Sequence, residues 1–316
     1  MDEYPKTVLE MRDGFATEEM CRNYLEKLRW PKGPRCPKCQ GSEVWVMRPP
    51  FYRCRPCGYD FTVTVGTLFA ATRKPLRLWF EALWHVTNQK SGVSALGLQR
   101  ALGLGSYRTA WSWLHKLRRA MVRPGRDRLA GVVEVDETFV GGEAVGTFGR
   151  GAAGKSVVVI AAEIAGQRLG RIRLCRVANA AAASLQGALQ HMVEPGAEIQ
   201  TDAWRGYASL KHWGYTHRVI RATRDDERPL PHVHRVASLL KRWLLGTHQG
   251  AVAPDHLDFY LDEYTFRFNR RAANSRGLLF YRLLQQAVAV GPVRNQQIIR
   301  GRPFPPPLCK GNKVHS

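Results

Sequence analysis

Two sets of residues in this chain have the types and spacing for metal chemistry: four cysteines near the amino terminus and two aspartates further along the chain. Cys36 and Cys39 form one C-x-x-C pair, and Cys54 and Cys57 form another after fourteen intervening residues. Two such knuckles can wrap one tetrahedral zinc ion with four thiolates. A redox C-x-x-C would appear once, in a βαβ setting. The spacing therefore predicts structural Zn²⁺ in a zinc ribbon.

Asp136 lies at the centre of the stretch GVVEVDETFVGG, residues 131–142, whose β-branched and aromatic residues predict a strand. Side chains alternate along a strand, so Glu134 and Thr138 share the face of Asp136. A carboxylate inside a hydrophobic strand is costly unless a cation or hydrogen-bond donors meet it. For Asp136 alone, a strand-end position facing solvent is the alternative interpretation.

The elements that follow supply a second acid. Periodicity predicts strands at 156–164 and 170–177, a helix at 179–192, a strand at 196–202, a helix at 204–212, a strand at 214–220 and a helix at 233–245. This order is typical of the ribonuclease-H-like fold, a mixed α/β sheet with helices on both faces. Its first and fourth strands are neighbours, which would bring Asp136 beside Asp202.

Two adjacent carboxylates repel each other unless a divalent cation holds them. Mg²⁺, or Mn²⁺ in its place, suits an all-oxygen site. Such a site can activate a water or a 3′-hydroxyl for phosphodiester chemistry. We therefore expect Asp136 and Asp202 to be magnesium ligands.

Composition indicates the partner. Lysine and arginine outnumber aspartate and glutamate by 48 to 26, a formal charge of +22. A surplus this large attracts polyanions, so nucleic acid is the first candidate and a merely soluble basic protein the alternative. No apolar run is long enough to span a bilayer, and the acidic start is unlike a signal peptide. These features predict a cytoplasmic, nucleoid-associated protein without membrane contact.

The region before the first long strand is helical in pattern. Thr17 can cap a short helix within residues 7–30, and residues 91–121 predict two helices around a Gly-Leu-Gly turn. In a helix-turn-helix the second helix, from Ser106, would enter the major groove of DNA; an ordinary α-hairpin is the alternative. Trp111 and Leu114 are expected to pack inward. The candidates for DNA contact are Tyr107, Arg108, Arg118 and Arg119, with further phosphate-binding charge from Arg123, Arg126 and Arg128.

Residues 149–156 fit the phosphate-binding pattern G-x-x-x-x-G-K-S. That motif needs a strand before it and a helix immediately after it. Here Lys155 is followed by the β-branched run SVVVIAAEI, which predicts a strand. Nucleotide binding is therefore rejected.

Six motifs together resemble bacterial insertion-sequence DDE-type transposases of the zinc-ribbon ISXO-like family: CPKC…YRCRPC, GTLF, VEVDETFVGG, TDAWRGY, HVHRVASLLKRWLLGTHQG and YLDEYTFRFNRR. The resemblance covers roughly residues 15–285. It implies a ribonuclease-H-like fold, DNA strand cleavage and transfer, and Mg²⁺ or Mn²⁺. Asp136 and Asp202 match the first two catalytic aspartates of the family.

The third catalytic position departs from the family pattern. Where related transposases carry Glu or Asn, this chain has Ser238 and Leu239. His234 lies one helical turn earlier on nearly the same face, so its imidazole is a candidate ligand. Glu263 is a second candidate, although it has arginines nearby to pair with. Lys241 and Arg242 are expected at the DNA backbone.

Five segments follow from these patterns: 1–30 helical, 31–70 zinc ribbon, 71–128 helix-turn-helix-like, 129–285 catalytic and 286–316 a basic Pro/Gly-rich tail. The leading hypothesis is a transposase that binds terminal repeats and target DNA as a homo-oligomer. The alternative is a zinc-ribbon and helix-turn-helix DNA-binding protein that keeps the transposase fold without its activity. The aspartate pair favours the enzyme, and the missing third acid favours the binder.

Overall fold

The structure, a computed structural model, describes residues 4–122, 125–141, 155–221, 229–250, 252–273 and 275–301. Contacts within the chain define two units, Met1–Arg123 with Ala272–Ile299 and Pro124–Arg271 with Arg300–Ser316. The first unit thus combines residues from both ends of the chain. None of the described helices is both long enough and apolar enough to cross a bilayer.

The amino-terminal segment forms two helices rather than one, α1 (Val8–Gly14) and α2 (Glu18–Arg29). Each begins at a threonine, because the hydroxyl oxygens of Thr7 and Thr17 accept hydrogen bonds from first-turn backbone N–H groups at 3.1 and 3.2 Å. The predicted cap at Thr17 is confirmed. Cys21 is fully buried, as expected of a packed thiol.

The zinc ribbon contains three short antiparallel strands, β1 (Val44–Val46), β2 (Tyr52–Cys54) and β3 (Asp60–Phe61). Its core is small and centres on Cys36, Cys54 and Phe61. This core buries too little apolar surface to stabilise the ribbon well by itself. Bound metal should therefore supply much of the folding free energy.

The helical region contains α3 (Leu76–Asn88), α4 (Ala95–Leu102) and α5 (Tyr107–Ala120). Helix α4 ends at Gly103, whose φ of +59° gives the left-handed turn that leads to α5. The two predicted helices around a glycine turn are therefore present. Trp113 of α5 stacks on Trp79 of α3 with ring centroids 3.8 Å apart.

Two helices from the carboxyl-terminal part complete the first unit, α9 (Arg276–Ala289) and α10 (Asn295–Ile299). Phe280 of α9 is fully buried and packs on Phe15 and Phe80. The predicted catalytic domain extends to residue 285, whereas these contacts group α9 with the amino-terminal helices. The expected basic tail beyond residue 301 lies outside the described residues.

The second unit is built on a five-stranded mixed sheet in the order β6-β5-β4-β7-β8. Strands β4, β5 and β6 are antiparallel neighbours, and β7 and β8 run parallel to β4. The first and fourth strands of the unit are therefore adjacent, which confirms the ribonuclease-H-like fold. The strands are β4 (Val132–Val140), β5 (Ser156–Ala165), β6 (Arg168–Val177), β7 (Glu198–Thr201) and β8 (Thr216–Val219).

Helices cover both faces of this sheet. Helix α6 (Ala182–Met192) packs on the face that includes Val133 and Val135, and α7 (Pro231–His248) and α8 (Leu257–Phe268) belong to the core on the opposite face. Alternation along β4 thus buries Val133 and Val135 on the α6 side. Its acids at even positions, among them Asp136, point to the α7 side.

The helix expected at 204–212 is instead two 3₁₀ turns, Arg205–Tyr207 and Leu210–Trp213. The first turn lies so close to α6 that a Cβ on Gly206 would be 2.7 Å from Leu185 Cδ1. Gly214, with φ of +88°, ends the second turn. Strand β5 begins at Ser156, so a strand follows Lys155 where the phosphate-binding motif would need a helix. Residues 149–154 lie outside the described part of the chain.

Candidate active site

Asp136 lies in the middle of β4, opposite Ile160 of β5. Its Oδ1 accepts the backbone N–H of Glu137 at 2.8 Å, and its Oδ2 lies 3.1 Å from Nε2 of His234. The side chain is 21% exposed, so one side of the carboxylate still reaches solvent. Asp136 is therefore a partly buried acid at a cleft, and the solvated strand-end interpretation does not describe it.

Asp202 follows the last residue of β7. The parallel register pairs Glu134 of β4 with Gln200 of β7, and Asp136 and Asp202 each lie two residues beyond this pair. Neighbouring strands are about 4.8 Å apart. Oδ1 of Asp202 accepts the backbone N–H of Trp204 at 3.0 Å, which orients the carboxylate at the start of the turn.

The electrostatics of the site disfavour two bare carboxylates. Burial and the charge of Glu137 raise the pKa of Asp136 to about 6; the Glu137 N–H and His234 act against this rise, and the charge of Asp202 adds to it. A divalent cation would relieve the same repulsion. The carboxylate oxygens are the donors that Mg²⁺ prefers, so the residues present fit such an ion.

Helix α7 reaches β4 through a buried acid that the sequence did not single out as functional. Glu134 is 3% exposed, and its carboxylate accepts the backbone N–H of Val233 at 2.8 Å and contacts Nδ1 of His232 at 2.7 Å. Val233 N–H belongs to the first turn of α7, where helix N–H groups lack intrahelical partners. Glu134 therefore caps α7 from the sheet, in the turn that carries His234. The available signal was its position two residues before Asp136 on the same strand face.

A cleft between β4 and α7 contains Asp136 and successive turns of the helix. His234, Ser238 and Lys241 all line it. Ser238 stands where the resemblance predicted a third ligand, and its hydroxyl cannot replace a carboxylate charge. The remaining lining residues are Glu137, Thr138, Ile160, Val233 and Ala237. His234 is thus the α7 side chain that directly contacts Asp136.

The other face of β4 is tied to the turn after β7. The phenol of Tyr207 donates to Oε2 of Glu137 at 2.8 Å, and burial raises its pKa well above the usual value, so it stays protonated. Trp204 donates from Nε1 to the carbonyl of Ala180 at 2.9 Å. The first contact holds the segment that carries Asp202 against the sheet, and the second ties it to the residues just before α6.

Glu263, the second candidate for the third position, lies away from this cleft. It is 2% exposed on α8, a helix that packs against β6, and it pairs with Arg267 at 2.7 Å. Helical spacing places these two residues one turn apart. Glu263 is therefore part of an ion pair and is removed from the ligand candidates.

The predicted DNA-contact residues of α5 divide into two groups. Tyr107, Arg108 and Arg119 are exposed, whereas Arg118 is 1% exposed with Nη1 3.5 Å from Nε2 of His115. The prediction for Arg118 is wrong, because it shares the inward helical face of Leu114. Trp111, expected to pack inward, is half-buried. Lys241 and Arg242 of α7 are exposed, as contact with the DNA backbone would require.

The four ribbon cysteines converge as a metal site requires. Their ligand atoms lie within 4.8 Å of one another, with Sγ separations of 3.7 Å for Cys36 and Cys57 and 3.4 Å for Cys39 and Cys54. In a tetrahedron with Zn–S bonds of about 2.3 Å, sulfur atoms lie about 3.8 Å apart. The donor set therefore fits structural Zn²⁺. Among the described residues, the ligand atoms of Asp136, Asp202 and His234 do not converge as a group in the way that the four cysteines do.

These features define a class: a zinc-ribbon protein with a ribonuclease-H-like domain of the kind that processes nucleic acids. Residues 128–269 match the ISXO2-like transposase domain, and residues 16–60 match the transposase zinc-ribbon domain. The chain is also 27% identical over 280 residues to an uncharacterized protein in transposable element ISH50 of Halobacterium salinarum, covering 80% of this chain and 91% of that protein. Together the two domain matches and this relative support an insertion-sequence transposase with an ISXO2-like transposase domain.

Proposed function

We propose that this transposase cleaves and joins DNA at the ends of its insertion sequence, with Asp136 and Asp202 as the metal ligands. The observation that supports this most strongly is the β4–β7 register, which pairs Glu134 with Gln200, two residues before each acid. Burial and the charges of Glu137 and Asp202 raise the pKa of Asp136. A bound cation would stabilise the charged carboxylate, which supports the same proposal.

Mg²⁺, or Mn²⁺ in its place, would supply Lewis-acid stabilisation of the phosphate oxygens at this site. The chain's own residues hold the acids in place. The backbone N–H groups of Glu137 and Trp204 each hold Oδ1 of one carboxylate, that of Asp136 and that of Asp202 respectively. On the opposite face of the sheet, the Glu137–Tyr207 hydrogen bond ties β4 to the turn that follows β7.

His234 is the proposed third ligand. Its Nε2 lies 3.1 Å from Asp136 Oδ2 and its ring lines the cleft. A neutral imidazole can bind a divalent cation, although it adds no negative charge as a carboxylate would. Lys241, on the same helix and in the same cleft, is placed to hold a DNA phosphate.

The remaining DNA contacts are proposed on exposed cations and on Tyr107. Arg108 and Arg119 of α5 would contact one DNA segment as helix-turn-helix residues do, and Arg242 would extend the contact from α7. DNA as the partner implies action at the nucleoid. A homo-oligomer would bring the two ends of an element together.

One observation favours a second function, that of a DNA-binding protein without catalysis. Ser238 occupies the position of the expected third acid, and a histidine supplies the nearest alternative donor. Loss of one carboxylate weakens divalent-metal binding in an oxygen-rich site. In that case the protein would bind terminal repeats and leave the strands intact.

A strand-cleavage assay separates the two functions. Labelled duplexes that carry the terminal repeats of the element are incubated with purified protein and Mg²⁺, Mn²⁺ or EDTA. The transposase function predicts cleavage and joining with either metal and none with EDTA. Binding without cleavage under every metal condition would favour the DNA-binding protein instead.

The third position is tested by substitutions at His234. If His234 is a ligand, His234→Ala lowers the cleavage rate about 10³-fold, and His234→Glu restores a carboxylate donor and much of the rate. His212→Ala, at an exposed histidine outside the cleft, is the matched control. Equal rates for wild type, His234→Ala and the control would remove His234 from the metal site.

A further inference from the structure

The β1–β2 hairpin of the zinc ribbon exposes an unusual amount of apolar surface. Trp45, Val46, Met47 and Phe51 are 55%, 71%, 41% and 52% exposed. These large side chains fall within seven residues of the chain. Scattered exposed apolar residues are ordinary, but a contiguous group marks an interaction surface.

The hairpin presents this surface on a defined backbone. The backbone N–H of Met47 bonds to the carbonyl of Phe51 at 3.0 Å, and Phe51 N–H bonds to the carbonyl of Arg48 at 3.1 Å. Val46 pairs across the strands with Tyr52, which belongs to the ribbon core. The apolar tip is therefore held in place by the core beneath it. A surface held in this way loses little conformational entropy on binding.

Charge indicates the partner. Residues 31–61 contain six lysines and arginines and two acids. Both acids are already paired within the ribbon, Asp60 with Arg53 at 2.6 Å and Glu43 with Arg55 at 3.4 Å. The remaining basic residues are Lys32, Arg35, Lys38 and Arg48. This excess repels a second copy of the same ribbon and attracts a polyanion.

We propose that the hairpin Val44–Cys54 is a DNA wedge, in which Trp45, Met47 and Phe51 stack on bases and Arg48 neutralises a neighbouring phosphate. DNA-bending proteins use apolar side chains in this way to unstack base steps, and aromatic rings stack on any base. The inference rests on the proposed function in taking DNA as the partner. It adds a base-contacting role to the ribbon, beyond the structural role of its zinc site.

The test compares Trp45→Ala, Phe51→Ala and Arg48→Ala in the full-length, zinc-loaded protein. Leu9→Ala is the matched control, because Leu9 is 67% exposed on α1 and outside the hairpin. Affinity for a fluorescein-labelled terminal-repeat duplex is measured by anisotropy across a salt series. Permanganate reactivity of thymines in the complex reports unstacked bases, and zinc content confirms that each ribbon is folded.

The wedge predicts that Trp45→Ala and Phe51→Ala each weaken binding about ten-fold or more and abolish thymine reactivity, with an unchanged salt slope. Arg48→Ala should reduce the salt slope by about one. If all three variants keep the wild-type DNA affinity and thymine reactivity, the wedge is overturned. Binding of DNA by the wild type would still support DNA as the partner. A lowered oligomeric mass with unchanged DNA affinity would assign the hairpin to contacts between copies and also overturn it. If wild type binds no DNA, the proposed function fails together with the wedge.

Discussion

Removal of the Glu134 carboxylate tests how the site is assembled. Glu134→Ala eliminates the two contacts that join β4 to the first turn of α7, to Val233 N–H at 2.8 Å and to His232 at 2.7 Å. Hydrogen bonds to a charged group contribute about 1.5–3 kcal/mol each, so the unfolding free energy should fall by about 3–6 kcal/mol. For a unit of this size, each kcal/mol lowers Tm by about 2–4 °C.

Glu134→Gln separates shape from charge. The amide oxygen can still accept Val233 N–H, so this variant should retain most of the stability that Glu134→Ala loses. Glu194→Ala is the control, because Glu194 is exposed and its contact with Arg128 is 3.9 Å long. Exposed ion pairs contribute about 0–1 kcal/mol. Thermal and urea unfolding of the three variants give the comparison.

The same variants report on catalysis through His234. Because Glu134 fixes the turn that carries His234, Glu134→Ala should slow DNA cleavage. In a His234→Ala background, Glu134→Ala should add little further loss of rate, because Glu134 acts on cleavage through the turn that carries His234. A loss of under 1 kcal/mol in Glu134→Ala, or fully additive losses of rate in the double variant, would refute this reasoning.

Three further predictions follow from the ribbon, the charge and α5. Purified protein should contain one tightly bound zinc per chain, and Cys54→Ser should make the ribbon protease-sensitive; a zinc-free ribbon that resists protease would contradict the site. If six to ten phosphates are contacted, DNA affinity should fall about 10³–10⁵-fold between 50 and 200 mM salt, and a flat response in the anisotropy titration would remove DNA as the main partner. Arg119→Ala should weaken DNA binding at unchanged Tm, whereas Arg118→Ala should lower stability by several kcal/mol because Arg118 is buried; the opposite pattern would restore Arg118 as a DNA contact.

Local spacing and strand order were the parts of the structure that the sequence could specify. The four cysteines converge because knuckle spacing is a local property of the chain. The adjacency of β4 and β7 could be expected because the order of elements is typical of the ribonuclease-H-like fold, in which the first and fourth strands are neighbours. Thr17 and Gly103 act where capping chemistry predicts.

Features that depend on distant partners were not predictable in the same way. Arg118 is buried because α5 has neighbours on a face that looks cationic in the sequence. Helix α9 joins the amino-terminal helices through Phe280, a contact that no local pattern encodes. The cap of α7 by Glu134 joins residues 99 positions apart, and Glu263 is occupied by Arg267.

The most direct test of the central claim is DNA cleavage by Asp136→Asn and Asp202→Asn, with Asp255→Asn at an exposed site as the control. Each active-site substitution keeps the side-chain shape and removes one anionic metal ligand. We predict that both abolish cleavage and strand transfer on terminal-repeat DNA, bind that DNA with wild-type affinity, and keep their zinc, while the control remains active. Metal-dependent cleavage at the wild-type rate by either Asp136→Asn or Asp202→Asn would contradict the assignment of the two aspartates as the catalytic pair.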